Sequence, residues 1–323
     1  MAVMAAKPYA GRNHGTFDEE WGCHRRVSEW WYATGYFETP DRRMFSFQYT
    51  VIRPFLSGLR PNILMTALTD FATGKHHYSQ KVSLFGRKVN VDDTSIRFDD
   101  SAELRKGPEG MRISLVDNEF SLDLAISYGK GAVWHCDNGL LKMGTPDTRE
   151  TTTYYSYTNM PTAGTLTLNG ETAPVTGKSW FDRQGGPYRL MNRKTHWEWF
   201  SLRFYDDEEM MLFSFPQNGY RDGTYIRRSG ASARLTDYSI TPTAFITVEG
   251  NRYSAGWTLS VPGLKEESYV ITPLLPAQRN LGYLEQLAGV FNSAGERVGM
   301  CFVELLPGVW NEKYARKLLR RTG

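Results

Sequence analysis

Apolar and polar residues alternate with a period of two in many short segments of this chain. Examples are residues 111–116 (MRISLV), 165–168 (TLTL) and 257–261 (WTLSV), and this period places one face of a β-strand against a core. Turn signals such as Asn169-Gly170 and Asp222-Gly223 separate the segments at spacings typical of hairpins. The pattern predicts an all-β protein built from antiparallel strands.

Helical periodicity is convincing only near the C-terminus, at residues 314–320 (YARKLLR). This segment predicts a short basic amphipathic helix. Its few charges are fewer than a helix needs to bind a membrane surface. We therefore expect a solvated terminal helix that docks Leu318 and Leu319.

Two aromatic segments occur twice in the same order. Glu29-Trp30-Trp31 precedes Phe45-Ser46-Phe47, and Glu198-Trp199-Phe200 precedes Phe213-Ser214-Phe215 at a spacing that is shorter by one residue. A one-residue change in a hairpin loop would produce this difference. The order and spacing favour duplication of a β module over two unrelated aromatic hairpins.

The chain length fits two domains of roughly 150 residues, since single hydrophobic cores stop growing near ~250–300 residues. The second module should begin between Trp180 and Trp197, and Gly185-Gly186-Pro187 is suited to a crossing between domains. We therefore predict domains at residues 1–187 and 188–323. Small antiparallel barrels hide their strand edges and can hold an apolar ligand in the mouth or interior.

Composition and charge exclude several classes of protein. The net charge of +3 gives no basis for nucleic-acid binding. The three widely spaced cysteines form neither a disulfide framework nor a CxxC site. The N-terminal segment lacks the apolar run of a signal peptide, and no apolar run is long enough to cross a membrane. We expect a cytoplasmic monomer or homodimer without stable membrane insertion.

The sequence lacks the usual signatures of nucleotide, nucleophilic and metal chemistry. GxGxxG, GxxxxGK[ST], GxSxG and HExxH are all absent. Adjacent residues on a strand point to opposite faces, so His76 and His77 cannot chelate one ion together. We expect neither a metal site nor an organic cofactor.

Acidic and basic groups lie among aromatic residues in two clusters, at residues 24–32 (HRRVSEWWY) and from 179–183 (SWFDR) to 196–200 (HWEWF). On a strand, Glu29 and Trp31 would share one face, while Trp30 and Tyr32 would share the other. Aromatic surroundings desolvate the charged form of a carboxylic acid, which raises its pKa and allows proton donation near neutral pH. Ring faces can then stabilise a developing cation.

At these residues the chain resembles the AttH-like / carotenoid 1,2-hydratase (hydroxyneurosporene synthase) family of lipocalin-like proteins. The matching stretches follow one another in order over nearly the whole chain. They are Glu29-Trp30-Trp31-Tyr32-Ala33-Thr34-Gly35, Ala67-Leu68-Thr69-Asp70, Tyr154-Tyr155-Ser156, Gly177-Lys178-Ser179-Trp180-Phe181-Asp182-Arg183, Trp197-Glu198-Trp199-Phe200-Ser201-Leu202 and Phe302-Val303-Glu304-Leu305. The resemblance implies two consecutive lipocalin-like β-barrel domains, with a ligand cavity in or between them and no organic cofactor.

Members of the resembled family include hydratases of isoprenoid double bonds, kievitone-hydratase-like enzymes and pericyclases such as Diels–Alderases. We therefore expect a cofactor-independent enzyme that acts on a hydrophobic polyene- or terpenoid-type molecule by acid/base chemistry, as a hydratase, dehydratase, isomerase or cyclase. A pericyclase would instead gain rate by holding a polyene in a reactive conformer. A non-catalytic lipophile carrier is a third possibility.

The resemblance makes Asp182 the leading candidate for the general acid, since Trp180-Phe181-Asp182 matches a W-x-D element. We expect Arg183 and His196 to position it, and Glu29 or Glu198 to orient water or accept a proton. The predicted substrate-binding residues are Trp30, Trp31, Tyr32, Tyr154, Tyr155, Trp180, Trp197 and Trp199. Each of these residues could instead have a structural role. Asp182 and Arg183 could form a buried ion pair, and the glutamates could bond indole N–H groups or arginines. The aromatic residues could fill the cores.

Overall fold

The computed structural model describes residues 14–24, 28–54, 59–84, 88–189, 195–264, 268–280 and 283–306. Strands make up most of this part of the chain, and they form two barrel-like antiparallel sheets. The all-β prediction with two lipocalin-like domains is therefore confirmed. The predicted helix at residues 314–320 lies outside the described residues. None of the helical structure in the described ranges is long and apolar enough to cross a membrane.

The first sheet has 13 strands in the order β4-β3-β2-β1-β13-β12-β9-β8-β7-β6-β5, with β10 and β11 paired to β12. Its strands are β1 (Ser28–Glu38), β2 (Met44–Pro54), β3 (Asn62–Asp70), β4 (Lys75–Ser83), β5 (Val89–Val91), β6 (Ser95–Phe98), β7 (Ala102–Lys106), β8 (Gly110–Val116), β9 (Phe120–Ser127), β10 (Ala132–Trp134), β11 (Leu140–Lys142), β12 (Thr151–Leu168) and β13 (Glu171–Gly186).

The second sheet has 10 strands in the order β17-β16-β15-β14-β23-β22-β20-β19-β18, with β21 paired to β22. Its strands are β14 (Trp197–Phe204), β15 (Glu209–Phe215), β16 (Tyr220–Ile226), β17 (Ser232–Leu235), β18 (Ser239–Val248), β19 (Asn251–Ser260), β20 (Ser268–Pro273), β21 (Arg279–Asn280), β22 (Tyr283–Phe291) and β23 (Arg297–Leu306). The predicted boundary near residue 187 falls between the end of β13 and the start of β14.

Both sheets begin in the same way. The first strand of each sheet, β1 or β14, pairs with the strand that follows it and with the last strand of the sheet. Glu29 and Glu198 lie in these two first strands, as the repeat requires. The FSF segments, however, occupy different positions, because Ser46 lies opposite Tyr36 whereas Ser214 lies opposite Glu198 itself. The spacing difference therefore does not come from a one-residue loop change.

A short helix, α1 (Phe17–Trp21), packs against one end of the first domain. The Thr16 hydroxyl oxygen accepts a hydrogen bond from the Glu19 N–H, and the Glu19 carboxylate accepts one from the Thr16 N–H. These bonds satisfy amide groups that a helix start leaves without partners. Trp21 is buried and its carbonyl accepts a 2.8 Å hydrogen bond from Trp31 Nε1. The helix is thereby fixed to β1.

The period of two along each strand divides the buried side chains among three layers. One layer is the core of the first domain, and another is the core of the second. Between the sheets lies a third layer, which we call the interdomain layer; its buried aromatic members are Tyr32, Tyr154, Trp180, Tyr188, Trp197, Trp199, Phe213, Phe215, Tyr283 and Phe302.

Neighbouring residues of one strand enter different layers. On β1, Trp31 packs in the first core and Tyr32 in the interdomain layer. On β14, Phe200 packs in the second core and Trp199 in the interdomain layer. Strands near the contact between the domains are therefore buried on both faces, as in sheets covered on both sides.

Candidate functional site

The carboxyl group of Asp182 lies in the interdomain layer and is held by three neutral donors. Its side chain is buried on β13. Tyr154 Oη donates to Oδ2 at 2.9 Å, Trp180 Nε1 donates to Oδ1 at 2.6 Å, and Ser156 Oγ also bonds Oδ1. Trp199 Nε1 donates to the Tyr154 hydroxyl at 3.0 Å, so the hydrogen-bond network joins both domains.

Burial controls the protonation of Asp182. Desolvation raises the pKa of its carboxyl to about 7, because the surrounding side chains solvate a charge less well than water does, while the three hydrogen bonds lower the pKa in part. A carboxyl with a pKa near 7 is populated both as acid and as base near neutral pH. This is the protonation behaviour required of a general acid.

His135 extends the network behind Asp182. Its Nε2 lies 2.6 Å from Ser156 Oγ, the same hydroxyl that bonds Asp182. Burial lowers the pKa of His135 to about 3, so the ring is neutral at neutral pH. Its Nδ1 is buried with no hydrogen-bond partner among the described residues. Ser156 therefore connects a protonatable carboxyl to a neutral imidazole.

Two further carboxyl groups, Glu285 and Glu304, face each other across β22 and β23. They are direct register partners, and a side-chain hydrogen bond joins them. Trp197 Nε1 donates to Glu304 at 2.6 Å, and Gln48 Nε2 donates to Glu285 at 3.0 Å. Burial raises the pKa of both carboxyls, that of Glu304 to about 7. The pair lies in a setting that disfavours two negative charges.

A cavity of about 40 Å³ lies between the sheets beside this pair. Its lining comes from both domains: Trp30, Tyr32, Thr50, Ile52, Trp197, Tyr283, Glu304 and Leu306. Tyr32 lies directly opposite Asp182 in the β1–β13 register. The cavity is therefore bordered by Glu304 on one side and by the tyrosine next to Asp182 on the other.

Aromatic rings surround these groups. Tyr32 and Trp199 meet edge to face with 5.6 Å between ring centroids, and Trp180 and Trp199 do so at 6.2 Å. The guanidinium carbon of the buried Arg203 lies 5.8 Å from the Trp180 ring centroid. Ring faces of this kind can stabilise a cation on a ligand.

Larger cavities lie elsewhere in the described part of the chain. One of about 580 Å³ on the first domain is bordered by Arg105, Lys106, Glu109 and Arg112, whose side chains are half-buried or exposed. Charges in contact with solvent keep nearly their ordinary hydration. The interdomain layer is therefore the better candidate site.

The structure brings together most of the residues predicted from the sequence. Asp182, Tyr154, Trp180 and Trp199 are linked by hydrogen bonds, and Trp30, Tyr32 and Trp197 line the adjacent cavity. Trp31 and Tyr155 instead pack in the core of the first domain. Their predicted role in binding substrate does not agree with this placement, because β1 and β12 direct them to the opposite face.

Arg183 lies away from Asp182, contrary to the expectation that it positions the acid. Successive residues of β13 point to opposite faces, and Arg183 bonds Glu29 Oε2 at 2.8 Å. Its guanidinium also donates to the carbonyls of Glu20 and Gly22 and lies 4.1 Å from the Trp31 ring centroid. Arg183 and Glu29 thus tie helix α1 to β1 and β13, and the structure brings neither to Asp182.

Glu198 and His196 also lie apart from Asp182. Glu198 faces the second domain, where it accepts hydrogen bonds from Ser254 Oγ at 2.5 Å and Trp257 Nε1 at 2.9 Å. His196 is half-buried and lines a separate cavity of about 200 Å³ with Glu198. The expected positioning of Asp182 by His196 is therefore not what the structure shows.

The raised pKa of Asp182 predicts a pH-dependent stability. The folded protein keeps a proton that the unfolded chain, with a pKa of 3.8 for this group, has released. This contribution lowers stability as pH rises from about 4 to about 7, by up to about 4 kcal/mol at 1.36 kcal/mol per pKa unit. Asp182→Asn removes it, so the variant should gain stability relative to wild type between about pH 4 and about pH 8.

Urea unfolding of both proteins at the two pH values measures this difference. Glu285 and Glu304 titrate in both proteins, so only the change in their interaction with residue 182 remains in the difference. A difference in unfolding free energy that does not change with pH would show that Asp182 is ionised throughout.

Comparison with known proteins identifies the class of the molecule. The AttH-like family matches residues 9–308, and the chain belongs to this family. The resemblance found in the sequence is thereby confirmed.

Three solved structures share the fold. An AttH protein from Nitrosomonas europaea is 23% identical with a TM-score of 0.82, covering 94% of this chain and 100% of that one. Kievitone hydratase from Nectria haematococca is 15% identical with a TM-score of 0.75, covering 92% and 94%. CghA, solved with Sch210972, is 9% identical with a TM-score of 0.55, covering 88% and 90%. A comparison with curated proteins gives no match.

Proposed function

We propose that this protein is a cofactor-independent hydratase or dehydratase that acts on a hydrophobic polyene- or terpenoid-type molecule bound between its two domains. Asp182 carries the proposal. It is a buried carboxyl with a pKa of about 7, held by neutral donors among the aromatic rings of the interdomain layer. Such a group can protonate an uncharged alkene without a cofactor.

Every proton and bond of an alkene hydration can be accounted for with the groups of the proposed site. In hydration, the proton of the Asp182 carboxyl forms a C–H bond with one alkene carbon, and the neighbouring carbon becomes a cation. The rings of Trp30 and Trp197, which line the cavity, stabilise that cation. A water oxygen then forms the C–O bond, and one proton of the water passes to a carboxylate. Dehydration is the same sequence in reverse.

The size of the cavity bears on how a substrate enters. Ligand pockets commonly measure roughly 300–1,000 Å³, whereas the cavity next to Tyr32 measures about 40 Å³. A long hydrocarbon therefore fits between the domains only when the side chains of the interdomain layer move apart. We assign the structure to the closed form, in which Asp182 is shielded from water.

The fold relatives support the class of reaction. One neighbour, kievitone hydratase, is by name a hydratase, and it shares the arrangement of both domains at 15% identity. The proposal for this chain rests on its own carboxyl groups.

Incubation in water enriched in heavy oxygen tests the proposal. The purified protein is mixed with geraniol, farnesol or squalene as isoprenoid alkenes, and the products are analysed by mass spectrometry. We expect a product that contains one added water with the heavy isotope. A cyclised product of unchanged mass and a rate independent of pH would indicate a pericyclic reaction instead, and unchanged recovery of every bound alkene would indicate a carrier.

A further inference from the structure

The cavity between the sheets has the size and polarity of a water site. Its volume of about 40 Å³ exceeds the roughly 10–15 Å³ that one water molecule requires. Polar groups from both domains border it, including Glu304, Thr50 and Tyr283. A water in such a site needs two to four polar partners, and the lining supplies them.

Tyr32 contributes a free hydroxyl at this site. The residue lines the cavity and its side chain is buried, yet the hydroxyl has no hydrogen-bond partner in the described part of the chain. A buried, unsatisfied hydroxyl costs roughly 1–3 kcal/mol. A bound water removes that cost, so the lining itself favours occupancy.

Hydrogen bonds hold the Glu304 carboxyl beside the cavity, within reach of a water bound there. Trp197 Nε1 donates to its Oε1, and Glu285 lies directly opposite in the register. Gln48 and Asn280 donate to the two oxygens of Glu285, which fixes that carboxyl from the first domain and from the second. Glu285 is thus fully engaged by protein groups, while Glu304 borders the cavity.

We infer that this cavity binds the water that the reaction adds or removes, and that Glu304, paired with Glu285, exchanges a proton with it. The inference rests on the proposed hydration of an alkene. It assigns to Glu304 the second acid–base role that the sequence suggested for Glu29 or Glu198.

The proton balance of the two sites is complete. The Glu285–Glu304 pair starts with one shared proton, as two adjoining buried carboxyls do. When the water oxygen bonds the cation, its O–H bond breaks and the pair takes the second proton, while Asp182 has lost one to carbon. Exchange with bulk water restores the starting state when the layer opens to release product: the pair gives up the extra proton and Asp182 takes one up.

The pH response follows from the groups that face Glu304. These are Glu285 and Tyr283 on β22, Tyr32 on β1, Asp182 on β13, and Tyr188. Each of these groups is neutral or negative at neutral pH, so none of them stabilises a second negative charge on the pair. The buried Arg203 on β14 interacts with Tyr32 and Asp182 and favours the ionised form of Asp182. Hydration should therefore decline at high pH, where the Glu285–Glu304 pair and Asp182 are ionised and Asp182 has no proton to give.

A crystal structure of the ligand-free protein at high resolution tests the water site directly. We expect an ordered water within hydrogen-bond distance of Glu304 and the Tyr32 hydroxyl, and we expect Tyr32→Phe to lose or displace it. A dry cavity, or a direct hydrogen bond between Tyr32 and Glu304, would overturn the inference whatever the substrate is.

Kinetics of Glu304→Gln test the proton transfer. With an alkene that the wild type hydrates, the variant should add heavy-oxygen water at least a hundredfold more slowly. It should still exchange deuterium from heavy water into the recovered alkene, because Asp182 continues to protonate carbon. Asp182→Asn should lose both activities.

Glu198→Gln is the matched control, since Glu198 is also buried and also accepts an indole N–H, from Trp257. It faces the second core and should keep both activities. Hydration at the wild-type rate by Glu304→Gln would refute the inference and leave the proposed function standing. Failure of the wild type to hydrate any alkene would refute the proposed function, and the crystal structure would still decide whether water occupies the cavity.

Discussion

Asp182→Asn is expected to reduce turnover by about 10²–10⁴-fold, the usual contribution of a positioned acid or base. Asparagine has nearly the same shape as aspartate, and its amide oxygen still accepts a hydrogen bond from Trp180 or from Tyr154. It has no acidic proton to transfer to carbon. The variant should therefore fold and bind a hydrophobic ligand while kcat falls.

Measurements of kcat and KM, with the urea midpoint as a check on folding, establish this result. Asp123→Asn serves as a control, because Asp123 forms an exposed ion pair with Arg112. A variant of Asp182 that keeps the wild-type rate would show that another group supplies the proton.

Arg183→Met is expected to lower the free energy of unfolding by up to roughly 3–5 kcal/mol, because it removes the closer of the two arginines that bond the buried Glu29 and leaves Arg53 at 3.3 Å. Both side chains of the Arg183–Glu29 pair are about 1% exposed. The substitution also removes the donors for the carbonyls of Glu20 and Gly22, which hold helix α1. Turnover per folded molecule should be nearly unchanged.

Urea denaturation of the single variants and of the double variant with Glu29→Gln measures this coupling. Arg112→Met breaks an exposed pair and should cost less than about 1 kcal/mol. If Arg183→Met abolished activity without loss of stability, Arg183 would belong to the catalytic site, as the sequence suggested.

The alternation of side chains along a strand was a reliable guide to which residues share a face. It placed Glu29 with Trp31 and Trp30 with Tyr32, and the structure has these two pairs on opposite faces of β1. The sequence could not tell which face meets the other domain. Both faces of β1 are buried, so the apolar pattern is the same on either side.

Three ionisable residues near Asp182 and the cavity were not predicted as site residues, because no local sequence pattern marks them. β22 and β23 carry one glutamate each, Glu285 and Glu304, and the pairing of these two residues depends on the register of the strands. Glu304 did occur in the FVEL segment that resembles the family, which was the available signal. His135 belongs to no local motif, and its contact with Ser156 joins residues 21 positions apart in the chain.

The residues of the proposed site come from both halves of the chain. Asp182 and Tyr32 come from the first sheet, whereas Trp199 and Glu304 come from the second. Neither barrel alone holds a complete set, so heating that parts the barrels should end activity even while each keeps its strands. If the barrels arose by duplication, the proposed chemistry depends on residues from both copies.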